Sequence, residues 1–228
     1  MRPNSFTNFV AVIILIILGL NRAAHAQEPT PTSKQEQTHL YQLTMSVVLS
    51  DKPVPQAIEY TVMPGDTIGK LASRYNTTIE LIKISNHLND NRILAGQGLR
   101  IWVMPFEIFV NKKNNILILR CDHEVVKVYQ VATGTNNITP VGHFTIQTRF
   151  RNPVWFNKAG PISADDPKNP LGPRWLGFNI PKYGIHGTIY PTLIGQQVSH
   201  GCVRMKNQDV EELYNIIPIG TKVQISDD

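Results

Sequence analysis

The first hydrophobic stretch of this 228-residue chain is an unbroken run, FVAVIILIILGL, at 9–20. A transmembrane helix needs about 20 apolar residues, so the run is short for a span and fits the core of a secretory signal. Polar residues with two prolines follow at 27–37, QEPTPTSKQEQ, and read as a linker. The next segment, THLYQLTMSVVLS (38–50), matches neither a helical nor a strand period, and DKPVP (51–55) breaks it off. From residue 58 the pattern becomes regular. IEYTV has the character of a short strand and runs into a turn at Met63-Pro64-Gly65. Asp66 is placed to cap a helix, TIGKLASRY, its carboxylate accepting from free backbone N–H groups. Thr77 and Glu80 have capping-box spacing and predict a second helix, IELIKIS. A turn-rich stretch at 86–91 leads to a closing strand, GLRIWV (98–103). Residues 58–105 are therefore expected to run strand, helix, helix, strand.

Beyond Phe106 the signals turn to strands: FEIFVN, NILILR, EVVKVYQVAT and GHFTIQTRF, punctuated by Gly and Asn as in an all-β domain. Residues 151–175 carry five prolines and little periodicity. So long an irregular segment in a compact domain predicts a lid or binding loop. LGFNI, a helix at NQDVEELYNII (207–217) and a strand at TKVQI (221–225) close the chain. The fold class expected is mostly β, preceded by a small βααβ unit.

Charge changes this picture little. Ala24-His25-Ala26 has the small-x-small pattern of a signal-peptidase site, which predicts a signal peptide at 1–26 and a mature chain from Gln27. Retention of the segment as a membrane anchor is the alternative. Loss of Arg2 and Arg22 takes the formal charge from +5 to +3, and no basic run exceeds Lys112-Lys113. A nucleic-acid partner is disfavoured, because phosphate binding calls for a clustered basic face. An acidic polymer such as a bacterial wall suits the mildly basic surface.

The two cysteines of an exported chain, Cys121 and Cys202, invite a structural disulfide as one reading. Cys121 lies at or beside the turn of a hairpin, where it fits a small, partly buried strand residue. Cys202 stands in VSHGCVRMKN (198–207), among small residues and close to His200, with His186 sixteen positions upstream in YGIHGTIYP. A cysteine nucleophile needs access, a base to make thiolate, and donors for a developing oxyanion. Gly201 lets the chain turn so that successive N–H groups can address one oxygen. A zinc site built from His186, His200 and Cys202 lacks an evident fourth ligand. His39, His87, His123 and His143 are expected as ordinary hydrogen-bonded core residues.

Two resemblances sharpen these readings. YTVMPGDTIGKLASRY, followed by ISNHL and LAGQGLRI, resembles a LysM domain over 58–105. The resemblance implies a βααβ module that binds the N-acetylglucosamine backbone of peptidoglycan or chitin. Its groove would be lined by Gly65, Asp66, Thr67 and Ile68 on one side and Leu94, Ala95 and Gly96 on the other, with Asp66 serving either as cap or as sugar contact. TPVGHFTI (139–146), NPLGPRWLGF (169–178), YGIHGT (183–188) and SHGCVRM (199–205) together resemble the L,D-transpeptidase catalytic domain over 106–228. That family has a sandwich-like, mostly-β fold and works on peptidoglycan stem tetrapeptides through a cysteine thioester, without metal or organic cofactor.

By that resemblance Cys202 is the nucleophile, His186 its general base, and the Gly187 carbonyl orients the imidazole. Ser199 and His200 would brace the cysteine loop, Gly201 and Cys202 N–H groups would receive the oxyanion, and Arg204 would hold the loop or bind a substrate carboxylate. A neighbouring stem as acyl acceptor yields a 3→3 cross-link. Water, a free D-amino acid or a lipoprotein lysine would give carboxypeptidase, exchange or anchoring instead, and a catalytically silent wall-binding protein is a further alternative. The expected location is the periplasm or cell wall, with glycan strands and stem peptides as partners and no stable membrane insertion after signal cleavage.

Overall fold

The structure is a computed structural model that describes residues 54–227 apart from His123. The expected signal peptide, the linker, the ambiguous 38–50 segment, His39 and His123 lie outside the described residues. Among those described, no helix is long and apolar enough to cross a membrane.

The first elements are β1 (Ala57–Thr61), α1 (Ile68–Arg74), α2 (Ile79–Ser85) and β2 (Gly98–Trp102). β1 and β2 pair antiparallel from Ala57↔Trp102 to Thr61↔Gly98. Both helices pack onto this ribbon through a small core of Val62, Ile68, Leu71, Ala72, Ile82, Leu99 and Ile101. The βααβ order is as expected, but both caps sit one residue later than the sequence suggested. Thr67, not Asp66, caps α1, its Oγ1 accepting from Lys70 N at 3.2 Å. Thr78, not Thr77, caps α2 through Leu81 N at 2.9 Å. Asp66 is drawn away because Tyr60 Oη and Met63 N both donate to its Oδ2, at 2.6 and 2.9 Å. A carboxylate held on two donors has no geometry left for a helix end.

The remaining strands are β3 (Phe106–Asn111), β4 (Ile116–Cys121), β5 (Glu124–Gly134), β6 (Gly142–Arg151), β7 (Trp155–Asn157), β8 (Gly160–Ile162), β9 (Arg174–Phe178), β10 (Gly184–His186), β11 (Gln197–Ser199), β12 (Val203–Met205) and β13 (Lys222–Ser226), with α3 (Asn207–Ile216) before the last. Nine of them form one sheet in the order β11-β5-β12-β10-β9-β6-β13-β3-β4. β4 also pairs with β5, so the sandwich-like domain is one continuous sheet closed upon itself. Closure of eight strands removes the long unpaired edges that an open sheet would expose, leaving the three-residue β11 paired on one side only. The interior is filled by alternate side chains of each strand, among them Ile108, Val110, Leu117, Leu119, Tyr129, Val131, Val223 and Ile225.

Cys121 ends β4 against Glu124 and is buried; it and Cys202 are both free thiols, so no disulfide joins them. His87 and His143 are exposed, correcting the expectation of core histidines. Each occupies a place where a polar ring meets solvent, His87 past the end of α2 with φ 52° and His143 on the outer face of β6. The proline-rich segment contains the small hairpin β7–β8, which forms a separate two-stranded sheet.

Candidate active site

His186 is the last residue of β10, and Cys202 immediately precedes β12. The two strands pair in parallel with Ile185↔Val203 and His186↔Arg204. Side chains two apart on a strand share a face, so this register puts Cys202, Arg204 and His186 on the same side of the sheet. Sequence neighbours of neither residue announce this proximity; strand pairing creates it.

His186 is buried, and Trp175 lies directly opposite it on β9. The two rings stack with centroids 5.8 Å apart and an interplanar angle of 21°. His186 Nδ1 lies 2.7 Å from the Gly187 carbonyl oxygen. A carbonyl can only accept, so Nδ1 carries the proton and Nε2 is left as the basic nitrogen. Burial pushes the imidazole down to about 4, the Gly187 carbonyl opposes this, and the Arg204 charge adds to it. The ring is therefore neutral at pH 7.

Burial also pushes the Cys202 thiol up, against the smaller opposing effects of the Gly184 backbone N–H and the Arg204 charge. The resting pair is consequently thiol and neutral imidazole, not an ion pair. Cys202 Sγ donates to the Lys182 carbonyl oxygen at 3.3 Å, not to His186. Lys182 holds that carbonyl in place from a left-handed backbone conformation, φ 71°.

The loop around the thiol is fastened by Ser199, which is buried. Its Oγ accepts from Gly201 N at 3.0 Å and donates to the Cys202 carbonyl at 2.6 Å. His200, expected as a second brace, is exposed and takes no part in these bonds. The Gly201 N–H expected at an oxyanion is already given to Ser199, leaving the Cys202 N–H as the loop's candidate donor. Gly201 has φ 117°, and a Cβ there would lie 2.7 Å from Tyr183 Cε1, so only glycine fits. Arg204 flanks the pair from β12 and acts on both groups through its charge.

Several positioning residues escaped the sequence reading. Asn207, the first residue of α3, accepts from Thr188 N at 2.8 Å and so holds the segment after His186. The same oxygen would lie 2.4 Å from a Cβ at Gly187 and 2.5 Å from one at Gly172, so both glycines are needed for the close approach. Buried Asn169 donates to the carbonyls of Pro153 and Ser163 at 2.9 and 3.0 Å and accepts from Leu171 N at 3.0 Å. It ties the proline-rich loop to the wall of the site. The only available signal was Asn169 lying within NPLGP, between prolines that cannot donate.

In the βααβ unit the two expected groove loops come together: Gly96 N donates to the Val62 carbonyl at 2.8 Å and Val62 N to Gln97 at 2.9 Å. Gly65, Thr67, Leu94, Ala95 and Gly96 are exposed there. Ile68 is instead a core residue, because the first turn of α1 points it at Leu71 and Leu99. The Asp66 carboxylate is almost fully covered and also pairs with Arg74 at 3.6 Å, so it braces the loop. Among the described residues no group of three or more His, Cys, Asp or Glu side chains is placed to hold a metal ion.

The family model of the L,D-transpeptidase catalytic domain matches residues 105–225, and that of the LysM domain matches 60–102. The chain belongs to the L,D-transpeptidase family, with a LysM domain ahead of the catalytic one. It is 43% identical over 127 residues to the Bacillus subtilis protein YqjB, which carries an L,D-transpeptidase name, covering 53% of this chain and 71% of that one. It is 36% identical over 175 residues to the similarly named YkuD of Bacillus licheniformis, covering 73% and 98%. Among solved structures, an L,D-transpeptidase from Mycobacterium tuberculosis aligns over 87% of both chains at 13% identity with a TM-score of 0.47.

Proposed function

We propose that this protein is an exported peptidoglycan L,D-transpeptidase that forms 3→3 cross-links through a thioester on Cys202. The observation that carries the reading is the β10–β12 register, which sets the thiol on the same side of the sheet as a neutral imidazole whose Nε2 is basic. The reading requires a rotation about Cys202 χ1 that takes the thiol from the Lys182 carbonyl towards His186. Sγ then attacks the carbonyl between the L-centre of diaminopimelate and the terminal D-alanine, while Nε2 takes the thiol proton. The Cys202 N–H faces the developing oxyanion. The C–N bond breaks, the proton passes from Nε2 to the leaving amine, and D-alanine departs. The amine of a neighbouring stem attacks the thioester, Nε2 takes its proton and returns it to the departing Sγ, and the cross-link forms with the thiol restored.

Because the resting thiol is neutral, proton removal and attack are coupled, and the base carries the burden that a preformed thiolate would not need. In this reading the LysM groove engages glycan strands, and the signal-like segment at 1–26 supports export to the periplasm or cell wall. Incubating the protein lacking residues 1–26 with purified tetrapeptide muropeptides and weighing the products tests the whole reading. Dimers lighter by one D-alanine are expected from the native protein and none from Cys202→Ala. Tripeptide alone would make the enzyme a carboxypeptidase, and undiminished dimer from Cys202→Ala would remove the thiol from the mechanism.

A further inference from the structure

The passage from β2 to β3 is only residues 103–105, and it is not slack. Val103 N and Met104 N both donate to the Gln56 carbonyl, at 3.0 and 3.2 Å, and the Met104 carbonyl receives Cys121 Sγ at 3.6 Å. α2 is buried on two sides. Ile82 belongs to the core of the LysM domain, whereas Leu81 is fully buried in the core of the catalytic barrel. At the start of the same helix, the Thr78 hydroxyl donates to the Asn215 carbonyl while capping α2, and Glu80 pairs with Arg151.

Asn215 lies in the last turn of α3, and the first residue of α3 is Asn207, whose side chain holds Thr188 two positions after His186. A ten-residue helix is about 15 Å long. The guanidinium groups of Arg149, Arg151 and Arg174 lie 4.2, 5.6 and 5.4 Å from the centre of the Tyr214 ring and fasten the far end of this helix to β6 and β9. One rigid element therefore touches the LysM domain at one end and the loop of the candidate base at the other.

We infer that the LysM domain is a fixed part of the catalytic body, which presents wall-bound stem peptides to Cys202 at one set offset along the glycan strand. The inference rests on the proposed peptidoglycan activity. A flexible tether raises the local concentration of every stem within reach. A rigid module instead selects stems that remain attached to the strand it holds, so intact wall is the preferred substrate over released fragments. The selection is geometric and requires no motion of the LysM domain.

The test separates docking from chemistry. A long Gly/Ser insertion after exposed Pro105 frees the connection, and Glu80→Lys, facing Arg151, opposes redocking. A second form of the variant adds Leu81→Ala to empty the contact within the barrel core. Small-angle scattering reads whether the modules separate, and sacculus pelleting reads whether the LysM domain still binds. The separated variant should act on soluble disaccharide-tetrapeptide at a rate within about two-fold of native, yet cross-link intact sacculi about ten-fold more slowly, since the loss is one of orientation. Equal rates on sacculi by a separated variant that still binds them would overturn the inference. So would scattering from the native chain that requires independently moving modules. Failure of the native protein on both substrates would instead strike the proposed activity, with the scattering result still reading the docking.

Discussion

Acid should destabilise this protein through His186 in a way that one substitution removes. The ring is 4% exposed, stacked beneath Trp175, and burial holds it at about 4 where an ordinary histidine titrates near 6.5. Between those two pH values the unfolded chain binds a proton that the folded chain refuses. The stability associated with burying a neutral ring is thus complete above about pH 6.5, declines as pH falls, and levels off below about pH 4. Each pH unit inside the window is about 1.36 kcal/mol, so the full traverse is about 3 kcal/mol and the loss at pH 5 about 2 kcal/mol. Against a typical total of about 5–15 kcal/mol this is a large fraction. Urea unfolding at pH 7.5 and pH 5, on the native protein and on His186→Gln, measures it. Carboxylates held low by their partners, such as Asp66 and Asp227, lose stability at lower pH in both proteins and cancel in the difference. The native protein should lose about 2 kcal/mol more than the variant over that interval. An identical pH response in the two proteins would refute the assignment of a depressed, neutral His186. The same ring predicts that the proposed cross-linking keeps its rate well below pH 6, with its acid limb near 4.

Two further predictions concern the thiols and the cysteine loop. Cys121 is pushed up to about 12 by burial, so an alkylating agent at neutral pH should label Cys202 alone, and Cys121→Ala should retain most activity; peptide mass mapping and a turnover assay check both. Gly201→Ala must force φ 117° on an alanine and press a Cβ against Tyr183, at a cost of roughly 1–3 kcal/mol, and cross-linking should fall by more than ten-fold while sacculus binding is unchanged.

The elements and the chemical group types were legible because they are written locally. Alternation marks the strands, a Pro-Gly turn and two threonine-led helices mark the LysM domain, and S-H-G-C concentrates a hydroxyl, a glycine and a thiol within four residues. The helix caps slipped by one residue for a physical reason. Thr77 and Thr78, or Asp66 and Thr67, are equally competent as caps, and the choice was made by tertiary partners, the distant Asn215 carbonyl for Thr78 and the nearby Tyr60 and Arg74 side chains for Asp66.

The bracing of the site was likewise out of reach. Asn207, Asn169 and Trp175 carry no local pattern that distinguishes them from surface amides or a core aromatic, and only strand register and helix docking bring them to His186 and its loop. The ionisation states also belong to the tertiary structure. His186 and Cys202 would pair as imidazolium and thiolate if charge alone governed them, but burial acts most strongly on both and leaves them neutral. Leu81 shows the division most plainly. Helical periodicity identifies it as an apolar position, yet whether it serves the LysM core or the barrel core depends on how two domains meet, and it is the meeting that buries it in the barrel.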